Sequence, residues 1–358
     1  MPQSGLARSV VSRLLALGFA FSFVGASCGQ SSLAVMPGVI NDPGNASLRR
    51  GIFSFAQGQI CREVQKRSLP LKLRDEDPAT GRFFPTTCAV QELATGNLFM
   101  QFGGHGYAWT NITKRIGFDA SAAVEYDHDF QMDGSTMYIY FRERSTSATT
   151  FKSLLVEAPP AAPMVGLPGG TTQGFLDAVG GEVLKKELHR GFTVLRDPDG
   201  HVEFGLGMVE KGKRPPSPYE VKDNGRLLLS NERVEVHQNQ RDHVGPYEVT
   251  GKGKALYLSV NVDGAPAMDV IVLHRGVGEA WLTQYMTSIT LAPPSAPPML
   301  DEVVPTGLVW RKTLPLPPGQ YYVVFDNTSA AGRTSPPQIT GDDRAALVSY
   351  AVELGPAP

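Results

Sequence analysis

Cysteine is scarce in this chain: three residues in 358. No ligand spacing around them supports a structural metal site. Charge is also scarce. Asp, Glu, Lys and Arg make up 19% of the residues and the formal net charge is −2. No basic stripe appears, which argues against nucleic acid as a partner. The seven histidines form neither H-x-x-x-H nor H-E-x-x-H. No phosphate-binding P-loop and no dinucleotide fingerprint after a strand is present. The enzyme classes that carry those signatures are thereby excluded. The longest apolar run near the N-terminus falls short of the roughly 20 residues a membrane-spanning helix needs. What is abundant is glycine (38), proline (28) and apolar residues (42%). That mixture suits turn-rich β structure with a sizeable core.

The first 28 residues have a distinct layout. Arg8 and Arg13 precede an apolar stretch from Leu14 to Val24, then the small residues Gly25, Ala26 and Ser27, then Cys28. A positive segment, a short apolar segment and a small-residue cleavage site make a secretory signal. The arrangement resembles a bacterial lipoprotein signal peptide, with Gly25 standing where that family usually carries a larger aliphatic. The resemblance implies that Cys28 becomes the acylated first residue of the mature chain. It places the protein in the bacterial cell envelope, held to a membrane by lipid. Gly29, a non-acidic residue after the cysteine, favours the outer membrane by the same resemblance. The alternative is ordinary secretion, with cleavage after Ala26. The G-x-S-x-G match at Gly25–Gly29 is not a hydrolase elbow, because that motif needs a strand before it and a helix after it.

With Cys28 assigned, Cys61 and Cys88 remain as an even pair in an oxidising compartment, where a disulfide is the natural state. Removal of Arg8 and Arg13 leaves 31 basic against 35 acidic residues, so the mature balance is −4.

The fold class expected is mainly β with some α: an N-terminal helix-plus-antiparallel-sheet domain and a C-terminal antiparallel β-sandwich. The expected divisions are a signal over 1–27, a tether over 28–44 and a helix-plus-sheet unit over 45–157. A Pro/Ala/Gly linker over 158–170 follows, then a helix and hairpin over 171–225 packed on the first unit, and a sandwich over 226–355. Residues 46–66 put Leu48, Ile52 and Phe55 on one face of a helix, widened by Phe53, Ile60 and Val64. Strands are expected at 86–91, 97–102 and 107–112. From Ala122 to Met132 the even positions are apolar apart from His128, and Asp133-Gly134-Ser135 turns the hairpin. Thr171 to Leu188 reads as an amphipathic helix. Beyond Arg226, short strands follow one another with turns between. The segment from Pro317 to Asn327 is similar to strands of jelly-roll and galactose-binding-like modules in exported bacterial proteins.

Candidate chemistry is sparse. Tyr126-Asp127-His128-Asp129 holds metal-ligand residue types, but side chains alternate faces along a strand. His128 then points with the apolar set, and Glu125, Asp127 and Asp129 form a separate acidic stripe. Asp197-Pro198-Asp199-Gly200 faintly echoes a calcium loop but lacks the later oxygen ligands such a loop requires; it reads as a hairpin turn. His105, Tyr107 and Trp109 sit in or just after the glycine-rich Gly103–Gly106 segment and are the candidate ligand-binding residues. Trp109, Trp281 and Trp310, with Tyr321 and Tyr322, make either core or an aromatic platform for sugar. No catalytic residue, metal ligand or cofactor site is assigned.

The function expected is binding or scaffolding at the envelope, with a membrane partner through the lipid anchor and an envelope glycan, lipid or protein as the second partner. One alternative is a hydrolase of an envelope polymer, whose scattered carboxylates would leave no motif. Another is a lipid or small-ligand carrier, which calls for an apolar cavity beneath residues 46–66.

Overall fold

The computed structural model describes residues 37–158, 172–198, 200–220, 225–336 and 344–358. Cys28, the signal segment and most of the tether and of the 158–170 linker lie outside them. The described chain is mainly β. No helix among the described residues is long and apolar enough to cross a membrane.

Seven strands form one antiparallel sheet in sequence order. They are β1 (Leu69–Leu71), β2 (Gly81–Glu92), β3 (Leu98–Thr110), β4 (Lys114–Asp133), β5 (Thr136–Val156), β6 (Phe192–Arg196) and β7 (Val202–Leu206). The sheet is curled. Register shifts interrupt the β2–β3 ladder between Pro85 and Thr87, and the β4–β5 ladder at three places. Each such bulge bends its strand and adds twist. The Gly103–Gly106 segment lies within β3, which runs unbroken through it, rather than forming a bend between two strands. Its glycines permit the curl. A Cβ on Gly104 would lie 2.1 Å from the Phe84 carbonyl oxygen.

Three helices belong to this sheet: α1 (Pro37–Ile40), α2 (Ala46–Gln65) and α3 (Thr172–Arg190). Ile52, Phe53 and Ile60 of α2 pack on a core with Leu98, Met100, Val124, Tyr126 and Phe141. From α3, Leu188 joins that core and Leu184 joins a neighbouring one with Phe83, Phe118 and Phe151. A disulfide between Cys61 and Cys88 ties α2 to β2, with Cα atoms 5.3 Å apart.

The remaining strands are β8 (Leu227–His237), β9 (Gln240–Val249), β10 (Lys254–Asp263), β11 (Ala267–His274), β12 (Leu300–Pro305), β13 (Trp310–Leu316), β14 (Gly319–Asn327) and β15 (Ala345–Pro356). They form two antiparallel sheets, ordered β13-β10-β15-β8 and β12-β11-β14-β9. Side chains from both enclose one core, including Val234, Val260, Val270, Val323 and Val348. Helix α4 (Arg275–Thr287) interrupts the run of strands. It covers the outer face of the second sheet with Trp281, Leu282, Tyr285 and Met286, each at most 3% exposed. At about 2 kcal/mol per buried side chain, this contact is a major stabilising element. It also explains the unbroken apolar run of β14. Tyr321, Val323 and Phe325 face the shared core, while Tyr322 and Val324 face α4.

Candidate functional site at the sheet junction

The seven-stranded sheet meets the paired sheets through the residues just before and within β2. Ala79 is fully buried in the core of the paired sheets. Its N–H donates to the Arg233 carbonyl at 2.8 Å, and its carbonyl accepts from the Glu235 N–H at 2.9 Å. One residue is thereby added to the edge of β8. Three positions on, Arg82 is inserted between the two sheets and is 0% exposed.

Arg82 is the hub of a polar network. Its Nε donates to both carboxylate oxygens of Asp242 at 2.8 Å. Its Nη2 donates to Glu232 at 2.9 Å and to the Tyr350 hydroxyl at 2.6 Å. Asp242 belongs to one of the paired sheets, and Glu232 and Tyr350 to the other. From β3, the Tyr107 hydroxyl donates to Asp242 at 2.7 Å and accepts from the His243 backbone N–H at 2.7 Å. Arg82 therefore engages both layers, and Tyr107 engages the one that holds β9.

A second network flanks the first. Arg241 Nε donates to Asp326 at 2.9 Å, and the guanidinium lies 4.2 Å from the Trp281 ring centre. The Tyr285 hydroxyl accepts from the Arg241 backbone N–H at 3.1 Å and donates to Gln240 at 2.5 Å. Arg115 lies over Tyr285 at 4.4 Å and donates to the Ser288 carbonyl at 3.0 Å. Gly117 allows this approach, because a Cβ there would lie 1.9 Å from the Met286 carbonyl oxygen. Between the networks is a recess lined in part by Tyr107, Trp109, His237, Gln240, Arg241 and Asp242, with room for a water-sized occupant.

Charge states follow from burial and pairing. Burial opposes the Arg82 charge, but Asp242, Tyr350 and Glu232 outweigh it and raise the guanidinium well above its usual range. Burial raises the Glu232 carboxyl, yet Arg82 and the Tyr350 hydroxyl prevail and hold it low. Asp326 is pushed up to about 6, because its burial outweighs Arg241. His243 is fully buried, and neither ring nitrogen has a hydrogen-bond partner among the described residues. Burial, with Arg241 and Arg82 nearby, drives its pKa well down. A neutral imidazole among Tyr107, Trp281 and Tyr285 is the result. Such a sealed network fixes geometry: it sets how the large sheet is mounted on the paired sheets.

His105, Tyr107 and Trp109 share one face of β3; His105 and Tyr107 both meet Phe84, and Trp109 meets His237. His105 is half-buried, stacks on Phe84 at 5.9 Å and has its pKa lowered by burial. Tyr107 is 4% exposed with its hydroxyl fully engaged. Trp109 stacks on His237 at 3.3 Å, with the Lys114 ammonium 5.4 Å from its ring centre. Trp281, Tyr321 and Tyr322 are core residues, and Trp310 is partly buried against the same core as Tyr321. His128 stacks on Phe53 at 3.6 Å. Its acidic neighbours diverge, Asp127 towards Arg144 and Asp129 towards Arg49. Among the described residues, no cluster of three or more His, Cys, Asp or Glu is arranged to hold a metal ion.

The residues that sequence reasoning passed over are Arg82, Arg241, Asp242 and Asp326. The available signal was a charge inside a strand with apolar neighbours, as in Gly81-Arg82-Phe83-Phe84 and Val323-Val324-Phe325-Asp326. Charges are almost never fully buried unless paired. No family model matches this chain, and a search of the curated proteins finds no match.

Proposed function

We propose that this is an exported, lipid-anchored cell-envelope protein with a binding or scaffolding role. The observation that carries the reading is the Cys61–Cys88 disulfide, in a chain whose remaining cysteine follows a secretion-like segment. Such pairs persist in oxidising compartments. In this reading Cys28 is the acylated residue, and the tether ends before α1, whose Ile40 is seated in the core of the large sheet. The seven-stranded sheet with its helices is a mount, and the paired sheets are a β-sandwich module. The orders β8-β15-β10-β13 and β9-β14-β11-β12 match a jelly roll, an architecture also used by lectin domains. Phe53, Leu98, Val124 and Phe141 fill the space between α2 and the sheet. That packing favours a structural role for the helix over a carrier cavity beneath it.

The test is Cys28→Ser in cells. The variant is expected to leave the membrane fraction and to lose globomycin-sensitive processing. Retention in the membrane fraction with unchanged processing would overturn the anchor. Glycan, lipid and peptide arrays probed with the mature chain would then identify the ligand class.

A further inference from the structure

His243 is a buried titratable side chain that takes no part in the ion pairs of the junction. We infer that it makes the docking of the large sheet acid-sensitive: a proton taken up by its ring loosens the seat of Tyr107 on β9.

The side chain is 0% exposed. Its ring lies among those of Tyr107 from β3 and of Trp281 and Tyr285 from α4, with centres 6.2, 5.5 and 5.6 Å away. Neither ring nitrogen has a hydrogen-bond partner among the described residues. Packing alone does not call for an imidazole here, because a phenylalanine would fill the same aromatic pocket.

The charged groups around the pocket come from four strands. Arg82 belongs to β2, Arg115 to β4, Arg241 and Asp242 to β9, and Asp326 to β14. The two carboxylates are already engaged. Asp242 accepts from Arg82 and Tyr107, and Asp326 from Arg241. Arg115 lies across Tyr285, and Val324, the partner of His243 on β14, is apolar. An imidazolium would therefore be a further cation in a closed space. Burial, then Arg241 and Arg82, hold the ring well below its usual pKa of 6.5.

Such a cation gains water only when one wall of the pocket moves. The α4 wall is deeply seated, with Trp281, Leu282, Tyr285 and Met286 each at most 3% exposed. The wall from the large sheet is the ring of Tyr107. The Tyr107 hydroxyl also holds β3 to β9, through Asp242 and the His243 backbone N–H. Sensor and seat are thus one contact, and hydrating the imidazole breaks these two bonds.

The sign follows from the two states. With Tyr107 seated the ring stays neutral, and with Tyr107 away it titrates near 6.5. The seated state therefore loses ground as pH falls below about 6.5, and by pH 5 the open state gains about thirty-fold. Asp242 acts in the opposite sense, because its burial outweighs Arg82 and raises its carboxyl. That contribution is common to wild type and to a His243 variant, so their ratio isolates the histidine.

Two neighbouring amides report the outcome. β9 is an edge strand. The His243 N–H donates to Tyr107 of the large sheet, and the Arg241 N–H donates to Tyr285 of α4. The experiment reads hydrogen exchange of both amides at pH 7.5 and pH 5, by mass spectrometry with electron-transfer fragmentation. Each rate is divided by its intrinsic value. From pH 7.5 to pH 5, exchange at position 243 should rise about thirty-fold more in wild type than in His243→Phe. The Arg241 amide should change little. A ratio near one would overturn the inference. Acceleration at Arg241 alone would place the response in α4 and overturn it as well. His243→Gln, polar but without a titrating ring, carries the same test where the phenylalanine variant fails to fold. An acid response of wild-type size in His243→Gln would also overturn the role of His243.

Discussion

Replacing Arg82 by methionine tests the junction most directly. Methionine keeps much of the volume of the arginine stem and removes the guanidinium. Arg82 is completely buried and makes four contacts, two to Asp242 and one each to Glu232 and the Tyr350 hydroxyl. Its loss leaves the buried Asp242 carboxylate without its ion-pair partner and takes away one cation from Glu232. Breaking a buried pair in this way costs about 3–5 kcal/mol. At about 2.1 cal/mol/K per residue the unfolding entropy of 358 residues is about 0.75 kcal/mol/K, so the fall in Tm is roughly 4–7 °C. Scanning calorimetry measures it. Because Arg82 joins the large sheet to both layers of the paired sheets, the endotherm should also broaden or split. Adding Asp242→Leu to Arg82→Met removes one unpaired carboxylate. The double variant should therefore be more stable than the sum of the single losses by about 1–3 kcal/mol. A fall below 2 °C for Arg82→Met, or strict additivity in the cycle, would refute the assignment of Arg82 as the hub.

Three other outcomes are expected. The folded-state pKa of Asp326 is about 6, above its unfolded value. The native state therefore binds a proton that the unfolded chain releases between about pH 4 and 6, and this group's contribution falls as pH rises through that window, by up to about 3 kcal/mol. Asp326→Asn should remove this part of the slope, so Tm at pH 5 relative to pH 7.5 should drop against wild type; identical pH profiles would count against the buried carboxylate. Cys61 and Cys88 are 27 residues apart, so the Cys61→Ala, Cys88→Ala variant should lose about 3.5 kcal/mol in urea denaturation. A loss under 1 kcal/mol would mean that the bridge does not restrain the unfolded chain. Gly117→Ala should displace α4, because a Cβ there would collide with the Met286 carbonyl. Tryptophan emission should shift to the red as Trp281 gains water, and an unchanged spectrum would show that α4 does not depend on that approach.

How much was legible in the sequence depended on whether a signal was local. The period-two pattern of Ala122–Met132 and the Asp133-Gly134 turn gave the β4–β5 hairpin directly, because alternation is a property of one strand and its own two faces. Cys61 and Cys88 were paired by counting. The α4 helix was missed. Gly276 and Gly278 weaken its helix propensity, and no element was expected over 275–287; packing against β11 and β14 decides it. Gly103–Gly106 looked like a break between strands, whereas its glycines serve a continuous strand that curls.

The junction lies at the other extreme. Arg82 and Asp242 are 160 residues apart, and Arg82 and Tyr350 are 268 apart. Nothing in either local segment names the other. The sequence alone determined composition class, the cysteine pairing and the β-rich character, because each follows from residue type and short-range order. Tertiary structure alone decided which charges are buried and what neutralises them. It also decided that Tyr107 bonds the large sheet to Asp242 and His243 of β9. Those are consequences of long-range packing, in which the low dielectric of the interior makes an unpaired charge costly enough to select its partner.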